Sequence, residues 1–122
     1  HLYNFVTDMT TLFRGADCVL GKAGGLTVTE TLACGLPLIL VSVIPGQETG
    51  NADYVVHGEA GDLAQNPVEV LEVMCHWLEN GREIYNMRVQ NARRLGYPRA
   101  AYDVADLVWV AAKETGQELS LK

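Results

Sequence analysis

The stretch Leu36 to Ile44 constrains the fold of this chain more than any other. Leu38-Ile39-Leu40-Val41 runs without a polar residue, as in a strand covered on both faces, the situation of parallel sheets flanked by helices. The stretch also holds Pro37 and Ser42 and is only about half of the ~18 residues that a membrane span requires. No transmembrane span and no secretory signal is read in the sequence. With 122 residues, 48% of them hydrophobic, the chain suits one domain with a buried core and is too short for two.

Around this strand, turn residues and helical periods alternate. Leu2 to Val6 reads as an edge or terminal strand, and Asp8 as the cap of a short helix, Met9 to Arg14, closed by Gly15. Ala16 to Leu20 reads as a buried strand ended by Gly21. Lys22-Ala23-Gly24-Gly25 forms a glycine-rich turn, and a helix from Leu26 to Cys34 stops at Gly35. After the Pro37 to Val43 strand comes a loop, Ile44 to Gly50, and Asn51 is placed to cap a helix ending at His57. Asp62 to Ala64 is a very short strand. Asn66-Pro67 opens a helix with Val68, Leu71, Val73, Met74, Trp77 and Leu78 at near-helical spacing. Two more helices, Arg82 to Leu95 and Arg99 to Glu114, follow. Residues 1–115 are assigned to the domain and 116–122 to a frayed tail. Trp77 and Trp109 fall on apolar faces and are read as core. The alternation predicts an α/β fold, a Rossmann-like parallel sheet with flanking helices. Three terminal helices exceed what so small a sheet can cover. His1 leads straight into strand-like sequence without a starting Met, and the chain is read as a fragment whose upstream part is missing.

Charge and cysteine usage narrow the partners. Nine Lys and Arg against fifteen Asp and Glu give a net charge of −6 with no basic run, which argues against nucleic acid. Cys18, Cys34 and Cys75 lie far apart in apolar stretches without a C-x-x-C pair, the usage of a reduced intracellular protein with neither disulfide framework nor zinc site.

The chemistry concentrates at Gly21-Lys22-Ala23-Gly24-Gly25-Leu26-Thr27-Val28-Thr29-Glu30. A helix start offers unpaired N–H groups and a positive dipole end, and glycines let a phosphate approach the backbone closely. Thr27 adds a hydroxyl in the first turn, and Thr29 either does the same or faces solvent. Glu30, one turn further, is placed to accept hydrogen bonds from the two hydroxyls of a ribose, the task of the acidic residue in dinucleotide folds. Taken alone, the glycine pair reads first as a device for a tight turn and Glu30 as a solvated carboxylate, and it is the neighbouring loop that shifts the balance. The pattern is neither of the standard glycine-rich phosphate motifs. Pro45-Gly46-Gln47-Glu48-Thr49-Gly50-Asn51 leaves the carboxyl end of the next strand, where open parallel sheets bind ligands. Gln47 and Glu48 suit sugar hydroxyls, and Asn51 either caps its helix or contacts ligand.

Asn4-Phe5-Val6 with Asp8-Met9, the block Gly21 to Gly35, the strand Leu36 to Val43, Gly46-Gln47-Glu48 with Asn51-Ala52-Asp53-Tyr54, and Asn91-Ala92-Arg93 together resemble the donor-binding half of two-domain (GT-B) glycosyltransferases of family 28. The glycolipid synthase branch is the most similar, and the resemblance runs from about Asn4 to Val108. It implies a partial C-terminal half of a GT-B enzyme that moves a hexose, with inversion, from UDP-galactose or UDP-glucose to a diacylglycerol-type lipid. By position, Gly24, Gly25, Leu26 and Thr27 would lie at the diphosphate, Glu30 at the ribose, and Gln47 with Glu48 at the hexose. Asn51 completes the donor-binding set, and Lys22 stands near the diphosphate. No cofactor or metal is implied, since helix dipole and loop amides hold the departing UDP. His57 and His76 read as surface or packing residues. The lipid acceptor and the general base belong to a missing N-terminal domain, so no catalytic residue is assigned and the fragment alone is expected to be inactive. Lipid acceptors imply peripheral membrane contact, and the location is read as intracellular, cytoplasmic or peripheral to a membrane. The alternative is a non-catalytic nucleotide-sugar-binding subunit that completes its site with a separate membrane-tethered chain. An epimerase on the same fold would need catalytic carboxylates and histidines that the sequence does not offer.

Overall fold

The computed structural model describes residues 1–119, with side chains to residue 113. The elements follow as α1 (Met9–Arg14), β1 (Val19–Lys22), α2 (Gly25–Ala33), β2 (Leu38–Ser42), α3 (Thr49–His57), β3 (Gly61–Leu63), α4 (Pro67–Leu78), α5 (Glu83–Leu95) and α6 (Ala100–Leu119), with a 3-10 turn at Asn80–Arg82 before α5. The sheet is parallel throughout in the order β1-β2-β3, and Leu38 pairs with Val19 on one side and Gly61 on the other.

The uninterrupted apolar run is the central strand, as its composition requires. Leu38, Ile39 and Leu40 are all 0% exposed. Because side chains alternate along a strand, Leu38 and Leu40 enter one core with Val28, Leu32, Ala52 and Val55, while Ile39 enters a second with Ala64 and Trp77. Helices α2 and α3 therefore cover one face and α4 the other. The parallel sheet with flanking helices is as expected, and the Rossmann-like α/β fold stands.

Local chemistry sets several boundaries where the sequence places them. Thr11 N donates to Asp8 Oδ1 at 3.1 Å, capping α1. Val68 N and Glu69 N donate to Asn66 Oδ1, each at 3.0 Å, with Pro67 at the first helical position of α4. Gly35 takes φ +71° just after α2, a conformation that a Cβ disfavours. On the second face, Asp62 accepts from Trp77 Nε1 at 2.7 Å and Arg88 Nη2 at 2.9 Å, tying β3 to α4 and α5.

Other expectations are corrected. Leu2 to Val6 is not a strand: Leu2 and Phe5 are 103% and 93% exposed, and no neighbouring strand is there to pair with them. Strand β1 spans Val19–Lys22 rather than Ala16 to Leu20, because pairing with β2 as far as Ser42 draws Gly21 and Lys22 into the ladder. Asn51 caps nothing, since α3 has already begun at Thr49. Trp77 is core at 2% exposure, whereas Trp109 is 63% exposed. Helix α6 continues past Glu114 to Leu119, and its Tyr102, Val104, Leu107, Val108, Trp109 and Val110 are 52–70% exposed. Its apolar stripe is the surplus that the small sheet cannot cover. Residues 120–122 of the tail expected to fray lie outside the described residues.

One packing defect gives a test. Thr31 is 0% exposed and its Oγ1 has no hydrogen-bond partner, so a desolvated hydroxyl stands uncompensated in the core. Thr31→Val is expected to stabilise the protein by about 1 kcal/mol, read as a higher midpoint in denaturant.

Candidate functional site

Parallel strands release their carboxyl ends on the same edge of a sheet, and here that edge brings two loops together. Ala23 N donates to Ser42 O at 2.9 Å, joining the turn after β1 to the end of β2. From the other side, Asn51 Nδ2 on α3 donates to Ala23 O at 2.9 Å. The glycine turn is thus braced by both neighbours, and the brace is what Asn51 does in place of capping.

Helix α2 opens directly from this turn. Gly24 is its N-cap, with φ −68° and ψ 138°, no side chain caps it, and its first turn holds no acidic residue. The first N–H groups of the helix therefore find no intrahelical acceptor, and the positive end of the dipole is left without a carboxylate. Neither Gly24 nor Gly25 has a positive φ, so the backbone does not demand glycine at either place. What glycine provides here is clearance. A Cβ on Gly25 would meet only Asn51 Nδ2, at 3.7 Å, and otherwise project into open space.

That space is a cavity of about 340 Å³ lined by Lys22, Gly24, Gly25, Leu26, Thr27, Gln47, Glu48 and Asn51. Seven of the eight donor-binding residues expected from sequence meet in it, with Lys22 added. Gln47 is exposed on the rim. Glu48 is only 3% exposed: its Oε2 accepts from Ile44 N at 3.0 Å, and its Oε1 lies 3.2 Å from Lys22 Nζ. The Ile44 N–H, and after it the Lys22 ammonium, hold the Glu48 carboxyl below the ordinary glutamate range against the opposing pull of burial. Thr29 is no donor to this cavity, because its Oγ1 bonds back to Gly25 O at 2.8 Å.

Glu30 stands apart. It lines a second cavity of about 590 Å³ with Thr7 to Thr10, Phe13, Arg14, Ala33, Cys34 and Pro98. The two cavities are joined by the helix itself. Leu26 lines the first, is 78% exposed, and lies four residues before Glu30 on the same helical face. From Gly25 to Glu30 the helix rises roughly 7.5 Å. In the wall supplied by Thr7 to Thr10 and Phe13 the sequence points only to Asp8, as the cap of α1, and to Asp8-Met9 as part of the family-like pattern.

Comparison with known proteins gives the chain a family. The Glycosyltransferase family 28 C-terminal domain matches residues 1–93, which include both site loops and stop before α6. Monogalactosyldiacylglycerol synthase 3, chloroplastic, of Arabidopsis thaliana is 40% identical over 100 residues, 82% of this chain and 22% of that protein. A probable monogalactosyldiacylglycerol synthase, chloroplastic, of Nicotiana tabacum is 34% identical over 100 residues, 82% of this chain and 19% of that protein. A probable monogalactosyldiacylglycerol synthase 3, chloroplastic, of Oryza sativa subsp. japonica is 33% identical over 112 residues, 92% and 22% respectively. The chain spans about a fifth of the length of these relatives. Among the described residues no helix is long and apolar enough to cross a membrane. With the family match covering both loops and the sheet that carries them, the chain belongs to the glycosyltransferase family 28 C-terminal domain family.

Proposed function

We propose that this chain is the donor-binding part of an enzyme that transfers a hexose from a UDP-sugar to the hydroxyl of a diacylglycerol-type lipid. The observation that carries the reading is the uncapped start of α2, free of acidic residues and facing a cavity through two glycines that the backbone does not require. The relatives' names specify galactose and diacylglycerol, favour UDP-galactose as the donor, and favour a transferase over a non-catalytic binding subunit.

In this reading the diphosphate accepts hydrogen bonds from the first amides of α2 and from the Thr27 hydroxyl. The nucleoside then passes over Leu26, with the ribose hydroxyls at Glu30 and the base against the Thr7 to Phe13 wall. Gln47 and Glu48 face the hexose side, and Asn51 keeps the turn in place. As the bond from the anomeric carbon to the phosphate oxygen breaks, negative charge grows on the diphosphate. Amides already aimed there stabilise it without reorganising. In this reading the Glu48 carboxylate, bonded to Ile44 N and Lys22, is no base for the acceptor hydroxyl, and the base and the lipid site are assigned outside the described residues.

Titration of the full-length protein with UDP-galactose tests the reading. Glu30→Ala is expected to raise the donor KM about tenfold, the loss of hydrogen bonds to a charged group, with little change in thermal midpoint because Glu30 is exposed. An unchanged KM refutes the ribose role.

A further inference from the structure

One residue that lines the Glu30 cavity comes from far outside the two site loops. Pro98 belongs to the elbow Gly96-Tyr97-Pro98 between α5 and α6, beyond residue 93, where the family match ends. The elbow is held at both ends. Gly96 N donates to Ala92 O at 2.9 Å and Ala100 N to Tyr97 O at 3.1 Å, while Leu95 O accepts from the Tyr54 hydroxyl at 3.1 Å. Gly96 lies so close to α2 that a Cβ on it would fall 2.1 Å from Leu32 O and 3.0 Å from Ala33 N. Only glycine lets the chain pass α2 at that distance. The two residues after it then part: Tyr97 lines a separate apolar cavity of about 300 Å³ with Thr29 and Tyr54, and Pro98 lines the Glu30 cavity with Ala33 and Cys34. The proline ring fixes φ and has almost no rotamer freedom, so a ligand would meet it as a preset apolar surface.

In the donor reading above, on which this inference rests, the diphosphate lies at Gly25 to Thr27 and the ribose at Glu30. From Glu30 to Ala33 the helix rises roughly 4.5 Å more. The group that follows the ribose in a nucleotide is the nucleobase, and the cavity wall at that height is Ala33 with Pro98. We propose that Pro98 is a donor-contact residue, its ring packing on the nucleobase, and that Gly96 is the positioning residue whose close approach to α2 puts the ring there. The donor site then includes a residue that neither loop carries. The nucleobase is present in the substrate and in the product UDP, and takes no part in bond breaking. The contact therefore strengthens ground state and transition state alike, and belongs to KM rather than kcat.

The test uses the full-length protein as wild type, Pro98→Ala, Pro98→Val and Tyr97→Ala. It measures UDP binding by calorimetry, steady-state kinetics with UDP-galactose, and inhibition by inorganic pyrophosphate, with thermal midpoints as the check on folding. Pro98→Ala is expected to weaken UDP about three- to tenfold, for two ring carbons lost from an apolar contact, and to raise KM by the same factor with kcat unchanged. Pyrophosphate, which carries no nucleobase, is expected to inhibit the two proteins equally. Pro98→Val keeps the apolar bulk and is expected to bind UDP within about twofold of the wild type. So is Tyr97→Ala, whose lost side chain lines the other cavity. In the wild type, UDP is expected to slow alkylation of Cys34, read on its peptide by mass spectrometry, and pyrophosphate is not. Unchanged UDP binding in Pro98→Ala, or equal weakening of UDP and pyrophosphate, overturns the proposal and leaves the donor reading in place. An equal loss in Tyr97→Ala overturns it too, since the elbow would then act through its fold. Should Pro98→Ala melt early, Cys34 decides: an alkylation rate that UDP does not slow overturns the proposal. A wild-type protein that binds neither UDP nor pyrophosphate removes the donor reading itself, and this inference with it.

Discussion

Replacing Gly25 by alanine in the full-length protein is expected to lower kcat/KM for the sugar donor about a hundredfold while the thermal midpoint holds or rises slightly. The two halves of that expectation have separate causes. Gly25 is the first residue of α2 and lacks a positive φ, so alanine takes its backbone conformation without strain. Its Cβ would sit 3.7 Å from Asn51 Nδ2, an ordinary contact. Alanine is also the better helix former, by up to about 1 kcal/mol in a helix interior and less at its first turn. Binding is another matter. In the proposed donor reading the new methyl stands where the diphosphate would lie against the amides of Gly25, Leu26 and Thr27, and lifts it by about an ångström. A misplacement of that size costs about a hundredfold where transition-state charge is held by fixed donors. Steady-state kinetics beside a melting curve reads both halves. A variant that melts early makes Gly25 a folding residue, and one that turns over normally moves the diphosphate elsewhere.

The sequence made this region legible where the signal was local. Leu38 to Val41 declares a doubly covered strand by composition alone, and Asn66-Pro67 declares a helix start by chemistry that acts within three residues. Seven of the residues expected to bind the donor could be gathered in one cavity because both loops leave the carboxyl ends of adjacent parallel strands. What stayed hidden depends on partners distant in the chain. Asn51 looks like a cap, yet its partner is Ala23 O, 28 positions away. Gly21 and Lys22 look like turn residues, yet pairing with β2 makes them strand. Glu48 reads as one more polar loop residue, and only the folded loop shows it buried against Ile44 N and Lys22. Trp109 lies on an apolar helical stripe that periodicity detects equally well whether or not anything covers it.

Gly61→Ala is expected to be strongly damaging, costing at least about 3 kcal/mol and lowering the melting temperature of this domain by about 10 °C or more. Gly61 pairs with Leu38 across β2 and β3, in the register that puts Leu38 at the centre of the core. A Cβ there would fall 2.1 Å from Leu38 O and 2.9 Å from Val55 Cγ1. The first neighbour is backbone of the central strand and cannot swing aside as a side chain would. Relief requires β3 to move off β2, which strains the flanking bonds from Leu38 N to Ala60 O and from Ala64 N to Leu40 O. Gly50→Ala is the matched control. Gly50 lies in α3 and a Cβ there would meet nothing within 4 Å, so the same added methyl should leave stability unchanged or raise it by a few tenths of a kcal/mol. Thermal melts of the two variants side by side separate close backbone approach from a general intolerance of glycine replacement. Equal melting temperatures would mean that β3 can yield to the methyl without loosening β2. Since α3, which carries the Asn51 brace, leads directly into β3, donor binding in Gly61→Ala should fail together with the fold rather than apart from it.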